Sequence, residues 1–185
     1  MGTVSVFNFL SLNGFYKGEN DDISWSLPDP EQDKRAEEGM ASANGILLFG
    51  RKTYEMMASF WPTAEAAKNY PGVAEGINRA EKIVFSKSLK EAKWNNSRVM
   101  SGDLIQAVRE LKNQGRTITI LGSGTIVTQL AEAGLIDGYE FLLNPVALGA
   151  GTSIFSGAHK NIDMELLEVN KRANGIVHLR YRQRS

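Results

Sequence analysis

The sequence predicts an α/β fold: a mostly parallel central sheet flanked by helices, with an antiparallel hairpin at its C-terminal end. Three observations predict it. Short apolar or β-branched runs alternate with helical patterns as far as about residue 134. After that point strand patterns follow one another with no helix between them. Two of the apolar runs, Ile46–Phe49 and Thr117–Leu121, strike a glycine and open directly into a helix. Alternation gives parallel strands with crossover helices, and consecutive strands give an antiparallel edge.

Each element has its own signal. Val4–Leu10 alternates as a first strand, and Ser11–Asp22 (SLNGFYKGENDD) reads as a long polar loop. Trp25 and Leu27 lead to Pro28-Asp29-Pro30, where Asp29 is an N-cap, Pro30 the first helical residue and Gln32 the capping-box partner. That helix should run to about Ala43 with Ala36, Met40 and Ala43 inward, stopped by Asn44-Gly45. Ile46–Phe49 is a buried strand, and Gly50-Arg51-Lys52-Thr53 opens a helix bearing Tyr54 and Met57. Prolines at 62 and 71 divide Phe60–Asn78 into short helical pieces. Lys82–Ser86 and Arg98–Met100 are strands. Asp103 caps a helix with Leu104, Ala107, Val108 and Leu111 on one face and Gln106 as its box partner. Thr117–Leu121 precedes the Gly122-Ser123-Gly124 turn and a helix burying Ile126, Val127, Leu130 and Ala131, stopped at Gly134. Asp137–Val146, Met164–Asn170 and Gly175–Arg182 are the last strands, with Gly149-Ala150-Gly151 as a loop and Arg172-Ala173-Asn174 as the final turn.

Composition narrows the function. One domain is expected from 185 residues, 42% of them hydrophobic. Formal net charge is zero, which gives no general attraction to nucleic acid or to a membrane surface. There is no cysteine, hence no disulfide, thiolate nucleophile or cysteine metal site, and a reducing cytoplasm fits. His159 and His178 are too few for a histidine metal site, so no metal is expected, and both read as surface or strand residues. No apolar run is long enough to span a bilayer, and the start lacks a signal-peptide pattern.

Chemistry concentrates at the two glycine corners. If their strands are parallel neighbours, both helix N-termini leave the same sheet edge, where ligands of open α/β sheets bind. Unpartnered first-turn amides, the helix dipole, Arg51, Lys52 and the hydroxyls of Thr53, Ser123 and Thr125 then suit a diphosphate. Ser86-Lys87-Ser88 adds a cation and hydroxyls suited to a further phosphate on an adenosine ribose. The same turns can also serve packing alone. Neither the dinucleotide GxGxxG fingerprint nor a Walker lysine-serine pair is present. Trp25, Leu27, Tyr54, Phe60 and Trp61 either line an aromatic pocket for a flat heterocycle or belong to the core.

Ser11-Leu12-Asn13-Gly14, Trp25-Ser26-Leu27-Pro28, Gly50-Arg51-Lys52-Thr53, Ile83–Ser86, Gly122-Ser123-Gly124 and Gly134-Leu135-Ile136-Asp137 occur in an order that resembles the dihydrofolate reductase fold. Pro145-Val146-Ala147-Leu148-Gly149-Ala150-Gly151 and Phe155 look like the branch containing the reductase domain of bacterial riboflavin biosynthesis, here as a free-standing member. The resemblance implies an NADPH-dependent reductase of a pterin- or pyrimidine-like heterocycle, similar to 5-amino-6-(5-phosphoribosylamino)uracil reductase. It implies that Gly50, Arg51, Lys52 and Thr53 hold cofactor phosphates, and that Ser86 and Lys87 flank the adenosine 2′-phosphate. Gly122, Ser123, Gly124, Thr125 and Ile126 would wrap the diphosphate and nicotinamide end, and Leu12, Asn13 and Gly14 would belong to a loop closing over the nicotinamide. It also implies a homodimer.

Three departures qualify it. The position of the folate enzymes' acid, their proton donor, is Pro30; Asp29, one residue early and already a helix cap, is the candidate catalytic acid. Arg79 is one place out of register for a folate-carboxylate arginine. Asn13 and Phe15 replace the aspartate and basic residue usual in the riboflavin branch. A non-catalytic nucleotide-binding module on the same fold is the alternative reading.

Overall fold

The computed structural model describes residues 1–40 and 45–184. Eight strands form the main sheet: β1 (Val4–Leu10), β3 (Gly45–Gly50), β4 (Glu81–Phe85), β5 (Ser97–Met100), β6 (Thr117–Leu121), β7 (Gly138–Leu143), β9 (Met164–Lys171) and β10 (Val177–Gln183). They lie in the order β5-β4-β3-β6-β1-β7-β10-β9. The first six in that order are mutually parallel, while β10 runs antiparallel to both β7 and β9. The predicted parallel sheet with a C-terminal antiparallel hairpin is the observed one.

Helices cover both faces: α1 (Pro30–Met40), α2 (Arg51–Phe60), α3 (Ala64–Asn69), α4 (Pro71–Arg79), α5 (Leu104–Asn113) and α6 (Gly124–Glu132). One core packs Val4, Val6, Ile118 and Ile120 against Val108, Val127 and Leu130 of α5 and α6. A second packs Leu47, Phe49 and Val84 against Tyr54, Val73, Ile77 and Trp94. Burial on both faces explains why β3 and β6 read as continuous apolar or β-branched runs. Trp94 also covers the ammonium of Lys82, a fully buried lysine whose Nζ donates to the carbonyls of Asn78, Ala80 and Asn95 at 2.8–3.0 Å.

Several local expectations are corrected. Ser11–Asp22 is not a plain loop: Phe15–Gly18 forms β2, paired antiparallel with β8 (Gly151–Ser153). A short 3-10 turn, Glu19–Asp21, follows it. β7 stops at Leu143, because Asn144 turns inward and its side chain accepts from Leu27 N–H and donates to the Leu142 carbonyl. Asp103 does cap α5, accepting from Ile105 and Gln106 N–H, but Gln106 reaches along the helix to Glu110 and closes no box. The expected inward turn of Met40 and Ala43 and the stop at Asn44 lie outside the described residues and side chains. At the far edge, β9 leaves Leu166, Leu167 and Val169 exposed.

Candidate active site

β3 and β6 are parallel neighbours, with Leu48 opposite Ile120, so Gly50 and Gly122 leave the sheet side by side. Ser123 ties them together. Its Oγ accepts from Gly50 N–H at 2.8 Å and donates to Thr53 Oγ1 at 3.1 Å. Gly122 has φ +58°, and a Cβ there would stand 3.0 Å from Thr53 Cγ2. A Cβ on Gly124 would meet the Tyr16 ring at the same 3.0 Å. A side chain at either position would need its neighbour to give way, and at Gly122 it would strain the backbone as well. The Gly50 amide is spent on Ser123. The donors that helix geometry leaves for a ligand are the first-turn amides of α2 and, in α6, those of Gly124 and Thr125, since Ile126 N–H is bonded to the Ser123 carbonyl.

Below this junction a shallow cleft of about 400 Å³ brings together Gly50, Arg51, Ser86, Lys87, Thr125 and Ile126. These residues come from the ends of three neighbouring strands and were grouped from sequence alone. Arg51 and Lys87 are its cations, both exposed. Ser86 is committed to its own turn, its Oγ accepting from Ser88 and Leu89 N–H. Gly102, Asp103 and Gln129 also line the cleft and were missed from sequence. The signal was there: β5 lies beside β4, so the capped N-terminus of α5 must reach the same edge.

A larger cleft of about 1590 Å³ lies on the sheet face beneath α1 and α2 and reaches Arg51, Lys52, Thr53 and Gly122. Trp25, Leu27, Phe60 and Trp61 line it, over a floor that includes Phe7 and Phe9. Tyr54 does not. It is 4% exposed, packs on Phe49 and Trp94, and its hydroxyl accepts from Trp94 N–H at 2.9 Å, which makes it a core residue. Leu12, Asn13 and Gly14 form a turn outside both clefts, pinned to the 146–148 segment. Asn13 both donates to and accepts from the Leu148 backbone, at 2.8 and 3.1 Å.

Asp29 lines the larger cleft but is not a free acid. Its backbone carbonyl takes the first helical bond from Asp33, as an N-cap residue does. Its buried carboxylate, however, accepts from Arg172 Nε at 3.3 Å. Arg172 is itself 8% exposed and needs a counter-charge, which Asp29 and Glu31 supply. Gln32, the expected box partner, is buried with Oε1 unpartnered, so no capping box forms. At the cleft mouth Asp21 pairs with Lys17 and, at 3.4 Å, with Lys52 of α2. The Lys17 hydrogen bond holds the Asp21 carboxyl below its usual range, against weak desolvation.

Among the described residues no cluster of three or more His, Asp or Glu side chains could hold a metal ion, and no helix is long and apolar enough to cross a membrane.

Helix N-termini gathered at one edge of a mostly parallel sheet, with an antiparallel hairpin beyond, define a dihydrofolate reductase-like fold. The chain belongs to the RibD C-terminal domain family, whose model matches residues 2–178. It is 24% identical over 173 residues to the Bacillus subtilis (strain 168) protein YyaP, covering 93% of this chain and 90% of that one. Among solved structures it resembles a Shewanella sp. PV-4 protein named for riboflavin biosynthesis (TM-score 0.77, 20% identity, 99% of both chains). It also resembles dihydrofolate reductase from Enterococcus faecalis, complexed with NADP(H) (TM-score 0.66, 16% identity, 100% of this chain and 98% of that one). The Thermotoga maritima diaminohydroxyphosphoribosylaminopyrimidine deaminase/5-amino-6-(5-phosphoribosylamino)uracil reductase is similar over 99% of this chain and 57% of its own length (TM-score 0.69, 13% identity).

Proposed function

We propose that this protein is an NADPH-dependent reductase of a small pterin- or pyrimidine-like heterocycle, working in the cytoplasm. One observation carries the reading: the 2.8 Å bond from Gly50 N–H to Ser123 Oγ, which makes one anion site of two helix N-termini. The residues fit the cofactor. First-turn amides of α2 and α6 with Thr53 and Arg51 would take the pyrophosphate, and Lys87 with Arg51 would take the adenosine 2′-phosphate. The bare backbone at Gly122 lets Thr53 pack against the corner, which keeps its hydroxyl beside the helix N-termini. When bound, NADPH supplies a hydride. The chain's part is to orient the two rings and keep water out, with Phe7, Phe9, Trp25 and Trp61 as walls. Titrating NADPH into the purified protein while following nicotinamide fluorescence tests this. Saturable enhancement is expected, and no change at millimolar cofactor overturns it.

A second reading, a non-catalytic nucleotide-binding module, is favoured by the engagement of Asp29 with Arg172. NADPH that binds tightly yet is never oxidised with any pterin, pyrimidine or quinone would select it.

A further inference from the structure

Glu140 stands on the cleft floor in the middle of β7. It is in register with Phe7 of β1, and Phe7 is in register with Leu121 of β6, the residue before Gly122. Registered residues share a face, so the three form one row across the sheet. At one strand spacing per step, Glu140 lies roughly 10 Å from the glycine corner. Between them is an apolar surface, with Phe7 and Phe9 packed edge to face at 5.4 Å. A carboxylate at this position has one visible support. His178 of β10, 0% exposed, places Nε2 2.8 Å from Glu140 Oε1, while its Nδ1 has no partner. A buried N–H left unpaired costs more than a bare lone pair, so the hydrogen belongs on Nε2 and is donated to Glu140. That contact occupies one carboxylate oxygen and leaves the other for a ligand.

A second acceptor faces the same cleft from α1. Gln32 is 8% exposed, lines the cleft, and its Oε1 has no partner. An unpaired acceptor buried in this way is completed by an ordered water or by a ligand that donates. Asp29 is already matched by Arg172 and is not the group left waiting.

We propose that Glu140, oriented by His178 as a positioning residue, anchors the substrate in this cleft, and that the substrate is a heterocycle presenting adjacent N–H donors, as the ring N–H and amino group of an N-protonated aminopyrimidine do. The proposal rests on the reductase reading for the site's purpose, but its ligand chemistry is separately measurable. Calorimetry with 2,4-diaminopyrimidine and with uracil, each with and without NADPH, provides the measurement. Wild type should prefer the diamino ring by at least about tenfold, the worth of one charge-assisted hydrogen bond. Glu140→Gln should abolish that preference with its NADPH fluorescence titration unchanged. His178→Leu should weaken it, and His178→Gln, which keeps an N–H toward Glu140, should restore it. Should Glu140→Gln fail to fold, Gln32→Met carries the test, with a several-fold loss expected. No preference in wild type, or a preference lost in Asp29→Asn and kept in Glu140→Gln, overturns the assignment. A wild-type protein that ignores NADPH but prefers the diamino ring removes the reductase reading and leaves Glu140 standing.

Discussion

Ser123 shows how much rests on one hydroxyl. It holds φ 58° and ψ 58°, a left-handed conformation that costs a residue with a Cβ about 1–2 kcal/mol. Its bonds to Gly50 and Thr53 offset that cost. Ser123→Ala keeps the strain and removes both bonds, leaving the Gly50 N–H without an acceptor. A loss of about 1–3 kcal/mol in denaturant stability is expected, with NADPH affinity weakened about tenfold as the two corners separate. Ser123→Gly loses the same hydroxyl but relieves the backbone, so it should fall between alanine and wild type. Equal stability for all three proteins would show that the hydroxyl does not join the corners. From sequence, Ser123 was one hydroxyl among several, since its partner is 73 residues away.

At the scale of elements, what is local was legible and what is distant was not. Asp103 reads as a cap because donor and acceptor are two and three residues apart. Asp103→Ala should cost about 1 kcal/mol and lower the melting temperature by roughly 2–4 °C. An unchanged melt would mean that α5 is held by packing alone. The same local pattern at Asp29 misleads about the side chain, because Arg172 arrives from 143 residues away and claims the carboxylate. The strand β2 was hidden for the same reason: Phe15, Lys17 and Gly18 pair with a segment more than 130 residues later. Long apolar runs gave the parallel strands and their glycine corners, since a strand buried on both faces needs no partner's identity to be recognised. Tyr54 and Glu140 show the converse. Periodicity marks an inward residue but cannot say whether it meets core or cleft, so it leaves both readings open for the tyrosine and does not single out the glutamate.

For the whole molecule, pH gives a readout that the buried groups define. Burial pushes the Lys82 ammonium down to about 8 from the ordinary 10.5. Between those values the unfolded chain holds a proton that the folded chain has released, so stability rises with pH. The gain from pH 8 to pH 10 should be on the order of 2 kcal/mol. Tyr139 then acts oppositely. Burial raises its phenol far above 10.0, so above that pH the unfolded chain ionises first and stability falls. On the acid side burial opposes ionisation of Glu81, but Arg116 at 2.5 Å and Arg98 at 3.2 Å outweigh it and hold the carboxyl below its usual range. That contribution is lost as pH falls below about 4.5, through the depressed carboxyl. Urea midpoints from pH 3 to 11 should therefore climb from acid, climb again above pH 8, and turn down past 10. Lys82→Met isolates the second climb. It strands the carbonyls of Asn78, Ala80 and Asn95, so it should be less stable by about 2–4 kcal/mol at pH 7, and its curve should be flat from 8 to 10. A variant that still climbs there would assign the released proton to a different group.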